Sequence, residues 1–190
     1  MEADPDITNL IRKHFQGKNN FTLYELAIYD SECDIELVKS GASSFVANLN
    51  SSPAVVNDGI NISNLNKIKV KALTFDKIDD SKIDLLAIDI EGCEWYVLKY
   101  MKSRPTVISI ETHGGVYKNP FYDKIMQWMK ENNYKVWYKT KSDTIFVKKD
   151  KIKIDMKDQI SLFFTDILIF IYKAKKRMTK KIKGLFQAPV

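Results

Sequence analysis

Asp89 and Glu91, followed at once by Gly92, close a short apolar run that begins at Ile83. Carboxylates so placed can accept hydrogen bonds from hydroxyl groups, take up a proton as a general base, or supply oxygen ligands to a cation. Gly92 lets the backbone turn sharply or pass close to a ligand, with no Cβ in the way. Two further acids stand in comparable positions: Glu2, and Glu111 with His113 and the Gly114-Gly115 pair behind it. Taken singly, an acid after a strand often only caps the next helix, and a lone histidine is commonly structural. Three successive occurrences favour one site assembled from sequence-distant groups. Cys93, beside the motif, reads as a small core residue.

Such a site needs elements that bring strand ends to one edge. Residues 83–90 read as a buried strand because their apolar run is nearly continuous rather than alternating. Trp95, Val97, Leu98 and Met101 recur at helical spacing and predict a helix over 93–102. A strand over 106–111 follows Pro105. Asn119-Pro120 then opens a helix carrying Phe121, Ile125, Met126, Trp128 and Met129, with Asn132-Asn133 at its end. Tyr134–Tyr138 and Thr144–Val147 predict a closing strand pair around a Lys-Ser-Asp turn. Upstream, Asp4 as N-cap, Pro5 at N1, and Ile7, Leu10, Ile11 and Phe15 at helical spacing predict a first helix that Gly17 stops. Phe21–Ile28 predicts a strand, Asp34–Val38 a short one, and the rest of 29–66 loop. Ile68–Ala72, alternating with lysine, predicts a half-exposed or edge strand. Strands alternating with helices point to a doubly wound, mostly parallel α/β sheet whose strand ends line a binding crevice.

The string Asp84-Leu85-Leu86-Ala87-Ile88-Asp89-Ile90-Glu91-Gly92-Cys93-Glu94 resembles the central signature of the FkbM-family methyltransferases. Ala87 stands where that signature usually carries lysine. Supporting pieces fall in the family's order: Glu2-Ala3-Asp4-Pro5, Ala27 closing a strand, Ala42-Ser43-Ser44, Leu73-Thr74-Phe75-Asp76, and Ser109-Ile110-Glu111-Thr112-His113. The resemblance runs from residue 1 to about residue 147. It implies an α/β fold with a Rossmann-like class I methyltransferase sheet and S-adenosylmethionine as cofactor. Glu2, Ala27 and Asp89 would lie at that cofactor, Glu2 at the ribose hydroxyls. The implied reaction is O-methyl transfer to a hydroxyl of a small-molecule or glycan acceptor, with Asp89, Glu91 and His113 as the candidate bases. A divalent metal held by Asp89, Glu111 and His113 is an alternative way to acidify that hydroxyl.

The resemblance also implies a strand, a glycine-rich turn and a helix ahead of Glu2. A βαβ unit takes roughly 30 residues, whereas one residue precedes Glu2 and the chain holds no GxGxxG-like string. The expectation is an N-terminally truncated sheet: residues 1–150 as a partial methyltransferase domain, and 151–190 as a C-terminal hydrophobic segment with a basic tail. The alternative is a non-catalytic methyltransferase remnant that serves as an interaction or membrane-surface module.

The net charge of +6 on 190 residues belongs to that tail. Residues 173–190 carry seven Lys/Arg and no acid, and the remainder balances 23 basic against 24 acidic residues. A globular part without a basic excess argues against nucleic acid as a partner. Two distant cysteines with no CxxC pair fit a reducing cytoplasm. Ile160–Tyr172 is apolar except for Ser161, Thr165 and Asp166, and these 13 residues fall short of the roughly 20 that cross a bilayer. The segment reads either as a final core element or as a peripheral anchor on anionic lipid.

Overall fold

The computed structural model describes residues 1–40, 43–49, 51–62 and 65–186. Ala42, one of the residues carrying the resemblance, lies outside the described residues. Helix α1, Pro5–His14, starts as its sequence dictates: the Asp4 carboxylate accepts from the Asp6 amide at 2.9 Å, and Pro5 supplies its fixed φ in the first turn. Arg12, Lys13 and His14 fill the last turn, where the helix dipole favours cations. Phe15 caps the helix instead of continuing it, and Gly17 turns the chain at φ 78°.

The strand expected over Phe21–Ile28 shortens to β1, Ala27–Ile28. Phe21 stacks on Phe15 instead of joining a ladder, and Glu25 makes only an isolated parallel bridge to Glu2. Strands β2, Cys33–Ser40, and β3, Ser43–Val46, form an antiparallel hairpin in a region expected to be mostly loop. Helix α2, Pro53–Asp58, was also unexpected there, although Ser52 caps it, Pro53 opens it and left-handed Gly59 ends it. Strand β4, Lys67–Leu73, is the half-exposed strand of the two alternatives and not an edge: β1 pairs with it in parallel on one side and β2 antiparallel on the other. Its exposed lysines are matched by its neighbour, Lys67 to Glu36 at 3.5 Å and Lys69 to Asp34 at 3.2 Å. That cross-strand pairing explains the alternation that read as an edge.

The second sheet holds β5, Leu85–Ile88; β6, Val107–Glu111; β7, Tyr134–Lys139; and β8, Asp143–Lys148, in the order β5-β6-β8-β7. Helix α3, Glu94–Tyr100, connects β5 to β6, and α4, Tyr122–Glu131, follows β6. In place of one mostly parallel sheet there are two mixed four-stranded sheets. Connection length is the physical cause: short connections leave β2–β3 and β7–β8 no choice but antiparallel pairing, while α3 is long enough to return β6 parallel to β5. Leu86, Ile88, Ile108, Ile110, Val97, Leu98 and Phe146 form the main core, and Ile28 joins it from the first sheet. The Tyr100 hydroxyl donates to the Asp30 carbonyl at 2.8 Å, and Tyr29 packs edge-on against Tyr96, so α3 also ties the sheets together.

Helix α5, Met156–Phe186, leans on β7, where Asp166 pairs with Lys139 at 2.6 Å. It is not a core element, because Ile160, Phe163, Phe164, Leu168, Phe170 and Ile171 are all exposed. No helix among the described residues is long and apolar enough to cross a membrane.

Candidate active site

Strand alternation decides which side chains meet. Leu86 and Ile88 face the core and register with Ile108 and Ile110, so Asp89 continues the opposite face, in step with Ser109 and Glu111. Two acids from neighbouring parallel strands thus leave the same end of the sheet on the same face. Beyond β5 the chain turns through two positive φ values, 55° at Glu91 and 99° at Gly92. Such a φ is costly for a residue with a Cβ and needs support from its surroundings.

Glu94 provides that support. Its Oε1 accepts from the Ile90 amide at 3.2 Å and the Gly92 amide at 3.0 Å, and its Oε2 accepts from Asn119 Nδ2 at 2.5 Å. Asn119 Nδ2 also donates to the Glu111 carbonyl at 3.2 Å, which fixes the ends of β5 and β6 to each other. The buried Tyr117 packs its hydroxyl over Gly92, where an added Cβ would lie 3.4 Å from that oxygen and 3.0 Å from Leu49 Cδ2. A side chain at position 92 would therefore meet both an unfavourable φ and a tight wall.

Asp89, Glu94 and Glu111 each offer an oxygen, and these oxygens lie within 4.8 Å of one another. Among the described residues none of the three forms an ion pair with Lys, Arg or His. Burial, followed by the charges of Asp89 and Glu94, pushes Glu111 up to about 8. Burial likewise pushes Glu94 up to about 7 against the pull of its hydrogen bonds. Asp89 is open to solvent yet also raised, by partial desolvation of its carboxylate and by Asp143. Glu94 and Glu111 thus exchange protons near neutrality, and the spacing of the three acids also suits three ligands of one hard divalent cation.

Asp89 is also the link to the principal cavity, about 340 Å³, which opens between the two sheets. Glu2 and Ala27 line one wall and Asp89 and Glu91 the other, over a floor that includes Ile28, Leu86 and Ile88. Its volume lies in the range of about 300–1,000 Å³ typical of small-ligand sites. Glu2 is held in place because its Oε1 accepts from the Ala3 and Asp4 amides, both at 2.8 Å.

His113 is not brought to this group. Strand β6 ends at Glu111, and the Thr112 and His113 amides turn away to the Ser142 carbonyl. The imidazole is buried, with Nδ1 2.8 Å from Thr112 Oγ1 and Nε2 3.2 Å from the Thr140 carbonyl, and faces a second cavity. Burial, then Lys173, lowers its proton affinity. The alternative grouping of Asp89, Glu111 and His113 is therefore not the one that the fold gathers; the acids brought together are Asp89, Glu94 and Glu111. Glu94 was legible as part of the central string, but its burial and fold-back were not. Asn119 read only as a helix opener; α4 starts later, at Tyr122 with Phe121 as its N-cap, and Asn119 instead holds the turn before it, its Oδ1 accepting from the Phe121 amide at 2.8 Å.

Compared with known protein families, residues 1–136 match the family described as the methyltransferase FkbM domain. No curated protein matches the chain, and no solved structure does. The matched span contains Glu2, Ala27, Asp89, Glu91, Glu94 and Glu111, and it takes in both walls of the principal cavity. With well over half of its length matched, this chain belongs to the FkbM methyltransferase family.

Proposed function

We propose that the cavity between the two sheets binds S-adenosylmethionine and that the protein methylates a hydroxyl group, most naturally of a sugar or glycan. One observation carries this reading: Glu2, Ala27, Asp89 and Glu91, far apart in sequence, line a single cavity in a chain of this family. The parallel β5–α3–β6 unit, with acids at both strand ends, supports a Rossmann-like arrangement of the site. When bound, the cofactor would supply an electrophilic methyl group on a sulfonium, whose S–C bond would break as the O–C bond forms, leaving a neutral thioether.

Glu2 accepts hydrogen bonds from vicinal hydroxyls of the nucleoside, and Ala27, with no side chain beyond Cβ, leaves room beside it. Asp89, at the junction of cavity and acid cluster, takes the acceptor's proton as the new O–C bond forms. Its raised proton affinity makes it a better base than an ordinary carboxylate. Glu111, which holds its own proton up to about 8, screens Asp89 from a third full negative charge. Glu91, on the same wall, is the second base. His113, turned into the other cavity, has no part in the transfer.

Calorimetric titration with S-adenosylmethionine and methyl-transfer assays on a panel of sugar acceptors test this together. Asp89→Asn and Glu2→Gln should each weaken cofactor binding about tenfold or more, as expected for loss of a charged hydrogen bond. Turnover should be lost in Asp89→Asn and Glu91→Gln. Unchanged turnover in both would overturn the assignment.

A further inference from the structure

Helix α5 is built the wrong way round for a helix in water. Its partly buried residues, Leu162, Thr165, Ile169, Lys173 and Lys176, recur every three or four positions and mark the stripe against the body. Yet that stripe ends in cations, while the outward face carries Phe163, Phe164, Leu168, Phe170, Ile171 and Tyr172. Phe163 is 63% exposed, Leu168 65% and Phe170 73%. An apolar surface of this extent on one helix is a contact surface. Directly after it the sequence turns strongly basic, with Lys173, Lys175, Lys176 and Arg177, then Lys180, Lys181 and Lys183.

The inner flank of α5 repeats the charge theme. A cavity of about 310 Å³ lies between α5 and the body. His113 and Lys118 line it from the loop after β6, Lys139 from β7, and Lys173 from α5. Lys139 is neutralised by Asp166 at 2.6 Å; Lys118 reaches Asp123 at 3.1 Å across an exposed contact weak enough for a phosphate to compete with, and Lys173 forms no ion pair among the described residues. Burial and the neighbouring Arg177, Lys139 and Lys118 lower its proton affinity, so an anion there would relieve a real repulsion. Gly115 lets the basic turn lie down on this loop, because a Cβ at that position would stand 2.3 Å from Lys176 Cδ. Phe170 belongs both to the exposed face and to the cavity wall, so an anion in the cavity sits beside whatever covers the apolar face.

We propose that α5 lies in the plane of an anionic membrane surface. Its apolar face enters the interface, and the flanking cavity, through Lys118, Lys173 and His113, holds the phosphate of a lipid headgroup. Charge complementarity names this occupant: the apolar face alone would suit many surfaces, but a face bordered by a basic run and a cationic cavity suits an anionic bilayer. The helix is not apolar enough to cross one. Nothing in this arrangement uses the cavity at Asp89.

Flotation of the full chain with vesicles tests it. The protein should rise with phosphatidylcholine vesicles containing phosphatidylglycerol and stay down with phosphatidylcholine alone. The triple variant Phe163→Ser, Leu168→Ser, Ile171→Ser should lose recovery about tenfold or more while keeping the wild-type urea midpoint, because these side chains lie on the exposed face. Lys118→Gln with Lys173→Gln should still float, with several-fold weaker partitioning. Equal recovery of wild type and triple variant, or equal flotation on neutral vesicles, would overturn the anchor. Stabilisation of the wild type by inorganic phosphate, lost in the lysine double variant although both float equally, would assign the cavity to free phosphate and overturn the headgroup role. A dimer seen by light scattering that the triple variant dissolves, without any flotation, would make the face a self-association surface and overturn the proposal.

Discussion

Glu94 carries more of the candidate site than either acid that drew attention first. It is fully buried, and three donors depend on its carboxylate: the Ile90 and Gly92 amides and the Asn119 side chain. Leaving buried donors without acceptors costs about 1–3 kcal/mol each before relaxation, so Glu94→Ala should destabilise the fold by about 3 kcal/mol in urea titrations. Glu94→Gln keeps an oxygen for the two amides but sets its NH₂ against Asn119 Nδ2, and should cost clearly less. Equal losses in the two variants would count against the acceptor role. Glu111 makes a pH prediction at the same spot. Its folded-state pKa is raised from 4.5 to about 8, so folding takes up a proton that the unfolded chain releases. That stabilisation is full below 4.5 and drains away as pH rises toward about 8, with Glu94, raised to about 7, adding to the same slope. Urea midpoints across this window should fall with pH, and Glu111→Gln should flatten the fall. Asp89, Glu91 and Glu2 were legible because their neighbours in sequence are strand ends. His113 parts from them because two residues past a strand the chain can turn either way, and here it turns toward Ser142.

Local punctuation made α1 readable, though α2 was missed despite its own Ser52, Pro53 and Gly59, and elements stabilised by a partner were harder still. Asp4-Pro5 announces α1, and the structure uses Asp4 twice over: as the cap of Asp6, and as a buried acceptor for Lys39 at 3.0 Å and Ser44 Oγ at 3.2 Å. Burial alone would raise its pKa, but those contacts win and hold it below the usual value. Asp4→Ala should therefore cost about 2 kcal/mol, more than a surface cap, because it also takes from Ser44 its acceptor and from Lys39 one of its two carboxylates, Asp6 being the other. Asp4→Asn, which keeps the cap, should recover part of the loss in the same denaturant titration. Strand β4 shows the opposite case. Its alternating lysines read as half-exposed or edge; the strand is half-exposed, and what a single strand cannot reveal is that those lysines serve cross-strand pairs to Asp34 and Glu36. The hairpin of β2 and β3 was lost for the same reason: its stability comes from packing on β4 and on the small cluster around Phe45, not from local propensity.

At the scale of the whole molecule the chain divides into a neutral body and a charged, apolar appendage. Residues 1–155 carry 22 basic and 22 acidic side chains, so the net charge of the protein resides in residues 156–190. The composition already showed that division, but not that α5 would stand outside the core. Periodicity reports which face of a helix is apolar, and only the fold decides whether that face turns inward. Helix α5 holds to the body through a stripe that, among the described residues, has no fully buried side chain, and through the Lys139–Asp166 pair. Partly exposed pairs of that kind contribute about 1 kcal/mol at most. A chain ending at Asp155 should accordingly unfold in a single urea transition within about 2 kcal/mol of the full chain, since the main core lies wholly in the body. The same truncation should abolish retention on a cation exchanger at neutral pH and low salt, where the full chain is held by its basic run. Loss of cooperative unfolding on truncation would mean that α5 is part of the fold's foundation. Its outward apolar face would then need a structural explanation rather than an interfacial one.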